Sequence, residues 1–299
     1  LSEQENVEIE TLLVGSQDDQ KFQQLVDTYK DKISLNVVPC SIEEGVAKKR
    51  NLGLENATGD YIYFIDSDDY VEPAMLEEMY HKAKVSSADI VIADYYVNYP
   101  QKQIYKKQVA PSTGTECARW ILSGRLHSSN SNKLIKRELY LNNNISFIEG
   151  INMWEDMSTI ARICYLANKV AYLPQAYLHY VQYNSNSYTT NITEKSLLDI
   201  QAVISILRDF FGQNNDYQQD LVFLTLKAKV DFIMHAKGDI RKKLCQLYNA
   251  SREMIIKHPS LSVFYKLLLL LEKHRLYGFI DIFIVLYFIA KKIALKVKK

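Results

Sequence analysis

The sequence predicts an α/β fold with helices covering the sheet, followed by an all-helical region. Three observations carry this reading. Strand-like apolar runs alternate with helix-spaced ones over the first hundred residues, a strand of β-formers runs straight into an acidic cluster, and beyond Asn191 the apolar spacing is helical throughout. The 299 residues are 47% hydrophobic and 24% charged, the composition of an ordinary globular chain. That excludes disordered and fibrous classes, and the length leaves room for about two domains.

Ile9–Val14 (IETLLV) reads as a buried strand, and Phe22, Leu25, Val26 and Tyr29 recur at helical spacing. Ile33–Val38 is a second strand, and Gly45–Ala57 a helix stopped by Gly59. Tyr61–Ile65 (YIYFI) is a strand of β-formers. Pro73 suits the first turn of a helix carrying Met75, Leu76 and Met79, and Asp89–Ala93 is another strand. This alternation predicts a parallel sheet covered by helices. From about Tyr95 the pattern changes. Tyr95–Val109 reads as an antiparallel excursion, Cys117–Leu122 as helix, Ser128–Asn132 as polar loop, and Met157–Leu166 as helix. Val170–Leu173 and Tyr177–Tyr180 read as two short strands. Asn191 and Glu194 have capping-box spacing ahead of an apolar-periodic run through Phe211, and further helices follow. The expected division is one domain over 1–190 and a helical region over 191–299.

A formal net charge of +1 leaves no global field to draw nucleic acid. The charge is uneven, however. Glu3, Glu5, Glu8, Glu10, Asp18 and Asp19 open the chain without a Lys or Arg among them, whereas Lys291, Lys292, Lys296, Lys298 and Lys299 close it without an acid. Cys40, Cys117, Cys164 and Cys245 have no metal-ligand spacing, and free thiols fit the reducing cytoplasm. Leu276–Ala290 is apolar except for Asp281 and Gly278. It is shorter than the roughly 20 residues a spanning helix needs. With the lysines behind it, a helix over 276–297 reads either as lying on an anionic membrane surface or as a core helix with a solvated end. Tyrosine is abundant at 21 residues, suited to flat, half-polar ligand surfaces and equally to amphipathic filler.

The chemistry begins where Tyr61–Ile65 runs into Asp66, Ser67, Asp68 and Asp69. Ligands of open α/β sheets sit at strand carboxyl ends, and converging carboxylates repel one another unless a cation is present. Hard oxygen ligands of this kind select Mg²⁺ or Mn²⁺, and such an ion holds a diphosphate and stabilises its departure. The same residues could instead form a turn and cap the next helix. Asp66, Asp68 and Glu77 also match positions of a calcium-binding EF-hand loop, but Val71 stands where that loop needs Gly. Neither GxGxxG nor GxxxxGK[ST] occurs, which speaks against dinucleotide oxidoreductases and P-loop enzymes.

The run Gly45–Asp69 (GVAKKRNLGLENATGDYIYFIDSDD) resembles family 2 glycosyltransferases of the GT-A fold, in which G-x-x-x-A-R-N-x-G-x-x-x-A-x-G-x-Y-x-x-F-x-D-x-D-D is usual. Lys49 replaces the Ala. Asn132–Leu139 (NKLIKREL) is similar to the family's N/W-K-L-Y-x-R stretch, and Phe147–Asp156 (FIEGINMWED) to the segment ending in Glu-Asp. Lys169–Ser187, with its YLHYVQYNSNS, is similar to the closing segment, so the resemblance covers roughly residues 5–190.

The resemblance implies a mixed GT-A sheet with helices on both faces. It implies an inverting transferase that moves a sugar from a nucleotide-diphosphate donor, usually a UDP-sugar, to a glycan or lipid-linked acceptor. Cell-surface polysaccharide synthesis at the inner membrane face is the setting it implies, with Mn²⁺ or Mg²⁺ as cofactor. Asp156 matches the general base, Asp68 and Asp69 the metal ligands, and Asp66, Asp68, Arg50 and Ser16 the donor-binding positions. Arg50 suits either phosphate or a carboxylate of the acidic loop. Trp154 suits stacking on a sugar or plain packing, and Glu155 and His179 are further candidate contacts. Apart from the resemblance, Glu155 and Asp156 also read as acids favoured at a helix N-terminus.

Two departures accompany the match. The family's first strand, ending in Pro-x-Tyr-Asn, is expected ahead of Leu1, so the chain reads as truncated, with a defective sheet and half a nucleotide pocket. After Val14 the family shows D-D-G-S-x-D, where this chain has Gly15, Ser16, Gln17, Asp18 and Asp19. Ser16 thus replaces an acid that contacts the nucleotide base. These departures keep an alternative open: a non-catalytic relative that retains the fold as a binding or partner subunit.

Overall fold

A computed structural model describes residues 1–4, 6–182 and 192–297, with side chains to residue 290. The chain forms two compact units. One comprises Leu1–Ile121 and Leu126–Asn191, the other Leu122–Arg125 and Ile192–Lys299.

The first unit opens with β1 (Thr11–Gly15), α1 (Gln20–Tyr29), β2 (Leu35–Pro39) and α2 (Val46–Asn56). Strands β1 and β2 pair in parallel as a two-stranded sheet of their own. Helix α1 starts where Asp19 accepts the Lys21 N–H at 2.9 Å, a side-chain cap for an otherwise orphaned donor. Then follow β3 (Tyr61–Tyr63), β4 (Tyr70–Val71), α3 (Met75–Ser86), β5 (Ile90–Tyr99), β6 (Lys102–Lys106) and α4 (Gly114–Leu122). The unit closes with β7 (Lys133–Lys136), α5 (Arg137–Leu141), α6 (Glu155–Leu166) and β8 (Val170–Val181).

These later strands make a second sheet in the order β3-β7-β5-β8-β4, with β6 paired to β5. The parallel sheet suggested by local alternation is corrected to the mixed sheet that the resemblance implies, because only β5–β8 is parallel in this sheet. The reason is that β7, distant in sequence, inserts antiparallel between β3 and β5, a pairing that local periodicity does not encode. The two short strands expected over 170–180 are one strand, β8, carrying a register shift opposite Ala93–Tyr95. Pro174 accounts for the apparent break, since it removes a ladder donor without ending the strand.

Helix α3 packs Met75, Leu76, Met79 and Ala83 against Val91, Ala93, Leu134 and Ala171. Its stop is Ser87, in left-handed backbone at φ 50°, whose N–H returns to the end of the helix. Gly114 lets α4 approach the end of α6 closely. A Cβ there would meet the carbonyl oxygens of Cys164 and Ala167 at 2.0 and 2.2 Å, too close for any side chain.

The second unit comprises α7 (Glu194–Phe211), α8 (Gln218–His235), α9 (Gly238–Gln246), α10 (Arg252–Lys257), α11 (Val263–Lys273) and α12 (Tyr277–Val297). The capping box at its start is formed by Thr193 and Ser196, which corrects the expected Asn191–Glu194 pair; Asn191 lies outside the described residues. A Ser at N3 closes the box as a Glu would, because its hydroxyl returns to the Thr193 N–H at 3.2 Å. Helix α12 is anchored by buried Ile280, by Tyr287 stacked on Phe264 at 4.1 Å, and by Asp281 accepting from Arg241 at 2.8 Å. Phe279, Ile282, Val285, Leu286, Phe288 and Ile289 are exposed along it. Among the described residues, no helix is long and apolar enough to cross a membrane. The side chains of Lys291, Lys292 and Lys296, and all of Lys298 and Lys299, lie outside the described residues.

Candidate active site

The family-like run places Arg50 and Asn51 on the buried face of α2. Asn51 clamps the chain ahead of α6: its Oδ1 accepts the Phe147 N–H at 2.9 Å and its Nδ2 donates to the Phe147 carbonyl at 3.0 Å. Arg50 reaches further, over the Phe147 ring. Its Nη1 donates to Glu155 Oε1 at 3.0 Å and to Asp156 Oδ1, and its Nη2 to Asp66 Oδ1 at 3.0 Å. Only 8% of the guanidinium-bearing side chain is exposed. Of the two roles expected for Arg50, the contacts shown are with carboxylates, and Asp66 is one of them.

Trp154 introduces α6 in left-handed backbone, φ 63°, a conformation unusual for a bulky residue. The turn presents Glu155 and Asp156 together at the N-terminus of α6. Asp156 is gripped from a second side. Asn130 donates its backbone N–H to Asp156 Oδ2 at 3.2 Å and its side-chain Nδ2 to Oδ1. Asn130 is fully buried, in the segment expected only as polar loop.

The loop carrying Asn130 is in turn wrapped around Lys133. Its buried ammonium donates to the His127 carbonyl at 2.8 Å, the Ser129 carbonyl at 2.6 Å and Asn132 Oδ1 at 2.8 Å. Three protons thus meet three acceptors, which is what makes a buried lysine tolerable. Burial still pulls its pKa down to about 8, against the raising influence of Cys164, Asp156 and Cys117. Sequence reasoning noted the NKL stretch but assigned no role to Asn130 or Lys133. The available signal is a lysine leading into the apolar pair Leu134–Ile135 of β7.

The electrostatics follow from burial. Burial pushes Asp156 above the ordinary carboxylate range; the Arg50 charge opposes this and Asp66 adds to it. Glu155 is pushed up to about 8 by burial and by the charge of Asp156, again opposed by Arg50. Burial likewise raises Asp69 to about 7, opposed by the Val181 N–H and reinforced by Asp66 and Asp68.

Asp69 Oδ1 accepts the Val181 N–H at 2.9 Å, while its Oδ2 is buried without a hydrogen-bond partner among the described residues. An acidic oxygen withdrawn from water between two further acids fits a cation. Asp66 is instead committed, to Arg50 and to the Ser131 hydroxyl at 3.4 Å. Of the two expected ligands, Asp69 carries a buried oxygen without a hydrogen-bond partner among the described residues. Among the described residues no three His, Cys, Asp or Glu side chains are gathered as ligands.

Two further expected site residues have hydrogen-bond partners outside the Arg50 cluster. Ser16 is buried and its Oγ accepts the Asp18 N–H at 3.2 Å in the turn after β1. His179 is buried on β8, its Nε2 2.8 Å from Glu72 Oε1. Tyr183–Ser187 of the closing segment lie outside the described residues.

An α/β unit with acids at a strand end and an acidic pair at a helix start on the same arginine defines a GT-A-type glycosyltransferase fold. Residues 1–142 match the family model described as glycosyl transferase family 2. This part of the chain belongs to that family. The chain is 28% identical over 200 residues to the cholesterol galactosyltransferase of Borreliella burgdorferi, covering 62% of this chain and 55% of that protein. It is 26% identical over 199 residues to glycosyltransferase GlyG of Streptococcus pneumoniae, covering 62% of each. The matches thus span less than two thirds of these relatives' length. The crystal structure of S. aureus TarS 1–349 in complex with UDP-GlcNAc superposes with a TM-score of 0.69 at 19% identity, covering 95% of this chain and 83% of that one.

Proposed function

We propose that this protein is an inverting glycosyltransferase. It moves a sugar from a nucleotide-diphosphate donor to a glycan or lipid-linked acceptor in cell-surface polysaccharide synthesis. The observation that carries the reading is the Asp156 carboxylate, fixed by Arg50 and Asn130 and tied through the same Arg50 to Asp66 of the acidic loop. A displacement at the anomeric carbon needs an acceptor hydroxyl deprotonated on one side and a diphosphate released on the other. Asp156 is the base: burial raises its proton affinity, and the Arg50 charge opposes that rise. Its orientation is set before substrate arrives. Asp68 and Asp69 are the residues to hold Mn²⁺ or Mg²⁺, which when bound supplies positive charge to the leaving diphosphate. Asp66, Arg50 and Ser16 line the donor side. Trp154 and Glu155 flank the base, where the acceptor enters.

The exposed apolar residues of α12, followed in sequence by Lys291–Lys299, fit the protein lying on the anionic inner face of the cell membrane. The non-catalytic alternative draws on one observation, the Ser16 hydroxyl turned to the Asp18 N–H. Isothermal titration with UDP and UDP-GlcNAc in the presence of Mn²⁺ tests the main reading, with UDP-GlcNAc chosen because the TarS complex carries it. Saturable heat that is lost on adding a chelator is expected; no heat for either nucleotide favours the binding subunit.

A further inference from the structure

We propose that the sheet face bearing Tyr105, Tyr96, His179 and Tyr70 is a platform for a neutral carbohydrate, seating the acceptor chain beside the Asp66–Asp69 loop. The inference rests on the transferase reading and adds to it the chemistry and place of the acceptor.

Register alone lines these residues up. Tyr96 of β5 stands opposite Tyr105 of β6 and His179 of β8, and His179 stands opposite Tyr70 of β4. Residues in register on neighbouring strands share a face, so the four rings form one row across four strands, ~14 Å from end to end. The ring geometry agrees. Tyr70 stacks on His179 at 4.3 Å and 7°, His179 stacks on Tyr96 at 4.9 Å, and Tyr96 meets Tyr105 edge-on at 5.4 Å. The inner rung, His179, is 6% exposed, whereas Tyr70 and Tyr105 at the ends are 50% and 45% exposed.

Both end rings are held in place. Asn98 Nδ2 donates to the Tyr70 hydroxyl at 2.7 Å, and the Tyr105 hydroxyl donates to Asp94 Oδ2 at 2.6 Å. The side-chain amides of Asn98 and Gln103 face His179 Nδ1 at 3.2 and 3.1 Å, which puts the ring proton on Nε2, toward Glu72 Oε1. Rings fixed beforehand lose little freedom when a ligand arrives. A sugar ring offers an apolar C–H face and a rim of hydroxyls. Tyr70 is a half-exposed ring at the end of the row, and Glu72 and Gln103 border the row with acceptors and donors. The carboxylates of Glu72 and Asp94 on this row disfavour a phosphate-rich chain. The row also adjoins the chemistry, since Tyr70 follows Asp69 directly and the Val181 N–H that holds Asp69 lies two residues beyond His179.

The test is calorimetric titration of the full chain with cellohexaose, chitohexaose and maltohexaose, alongside UDP with Mn²⁺. Saturable binding of at least one hexasaccharide is expected. Tyr70→Ala should weaken it roughly three- to tenfold, Tyr70→Phe should preserve it, and UDP binding should be the same in all three proteins. Absence of binding for every sugar, or equal binding by Tyr70→Ala, overturns the platform, leaving the row as a cross-strand stack that stiffens the hairpin. If the sugar depends on Tyr70 while UDP fails to bind the parent, the platform stands and the transferase reading falls. Should thermal melting show that Tyr70→Ala does not fold, Tyr105→Ala is read by the same criterion.

Discussion

Arg50 Nη1 donates to the Asp156 carboxylate, so the buried face of α2 is tied directly to the first turn of α6. The two residues are 106 positions apart in the chain. The same guanidinium serves Glu155 and Asp66, making one cation the common partner of the proposed base and of the acidic loop. Removing a buried charge from such a cluster leaves its partners uncompensated, at a cost of about 3–5 kcal/mol.

Arg50→Gln should therefore unfold at lower denaturant and also shift the pH profile. Burial raises the Asp156 pKa and Arg50 lowers it, so loss of Arg50 raises it further. The base works ionised, and activity accordingly falls as pH falls through this pKa. The acid limb of kcat is expected to move to higher pH in Arg50→Gln. Arg50→Lys, which keeps the charge but not the planar fork, should show a smaller displacement. A limb at the parent position in both variants would remove Arg50 from the account.

Asp156→Asn keeps the shape of the side chain and removes its basicity. Transfer is expected to drop roughly a hundred- to ten-thousandfold, with UDP affinity measured by calorimetry little changed. Comparable turnover in mutant and parent would refute the base assignment.

Asn130→Ala removes one donor from Asp156 Oδ1 but leaves the Asn130 backbone N–H on Oδ2. The carboxylate loses its fixed orientation rather than its charge. kcat is expected to fall roughly ten- to a hundredfold while donor affinity holds; a change confined to donor affinity would contradict the positioning role.

Asn51→Ala breaks the paired hydrogen bonds to Phe147. Leaving that buried backbone unsatisfied should cost about 1–3 kcal/mol. Urea unfolding followed by circular dichroism reads this as a lower midpoint at unchanged slope.

Phe279→Asp and Ile282→Asp place charge on the exposed stripe of α12. Sedimentation with phosphatidylglycerol vesicles should lose binding in both variants, and the parent's binding should weaken with added salt. Equal sedimentation with phosphatidylcholine vesicles would argue against an electrostatic share.

Much of the fold and part of the site were legible because they are written in contiguous runs. The strand–helix alternation, the acids that follow β3 and the Glu155–Asp156 pair are local patterns, and local patterns follow from side-chain spacing and backbone propensity. The hairpin of β5 and β6 was visible for the same reason. What the linear chain did not disclose is which distant segments meet. The insertion of β7 between β3 and β5, the Asn130 grip on Asp156, and the Arg50 bonds to Asp66, Glu155 and Asp156 are all long-range outcomes. Each depends on burial, because a charge or amide withdrawn from water must find whatever partner the packing brings near. So the sequence by itself determined an α/β chain with an acidic cluster after a strand, and its motifs supplied the resemblance to GT-A glycosyltransferases. Only the folded arrangement decided that a single buried arginine and a buried asparagine hold one of those acids in place.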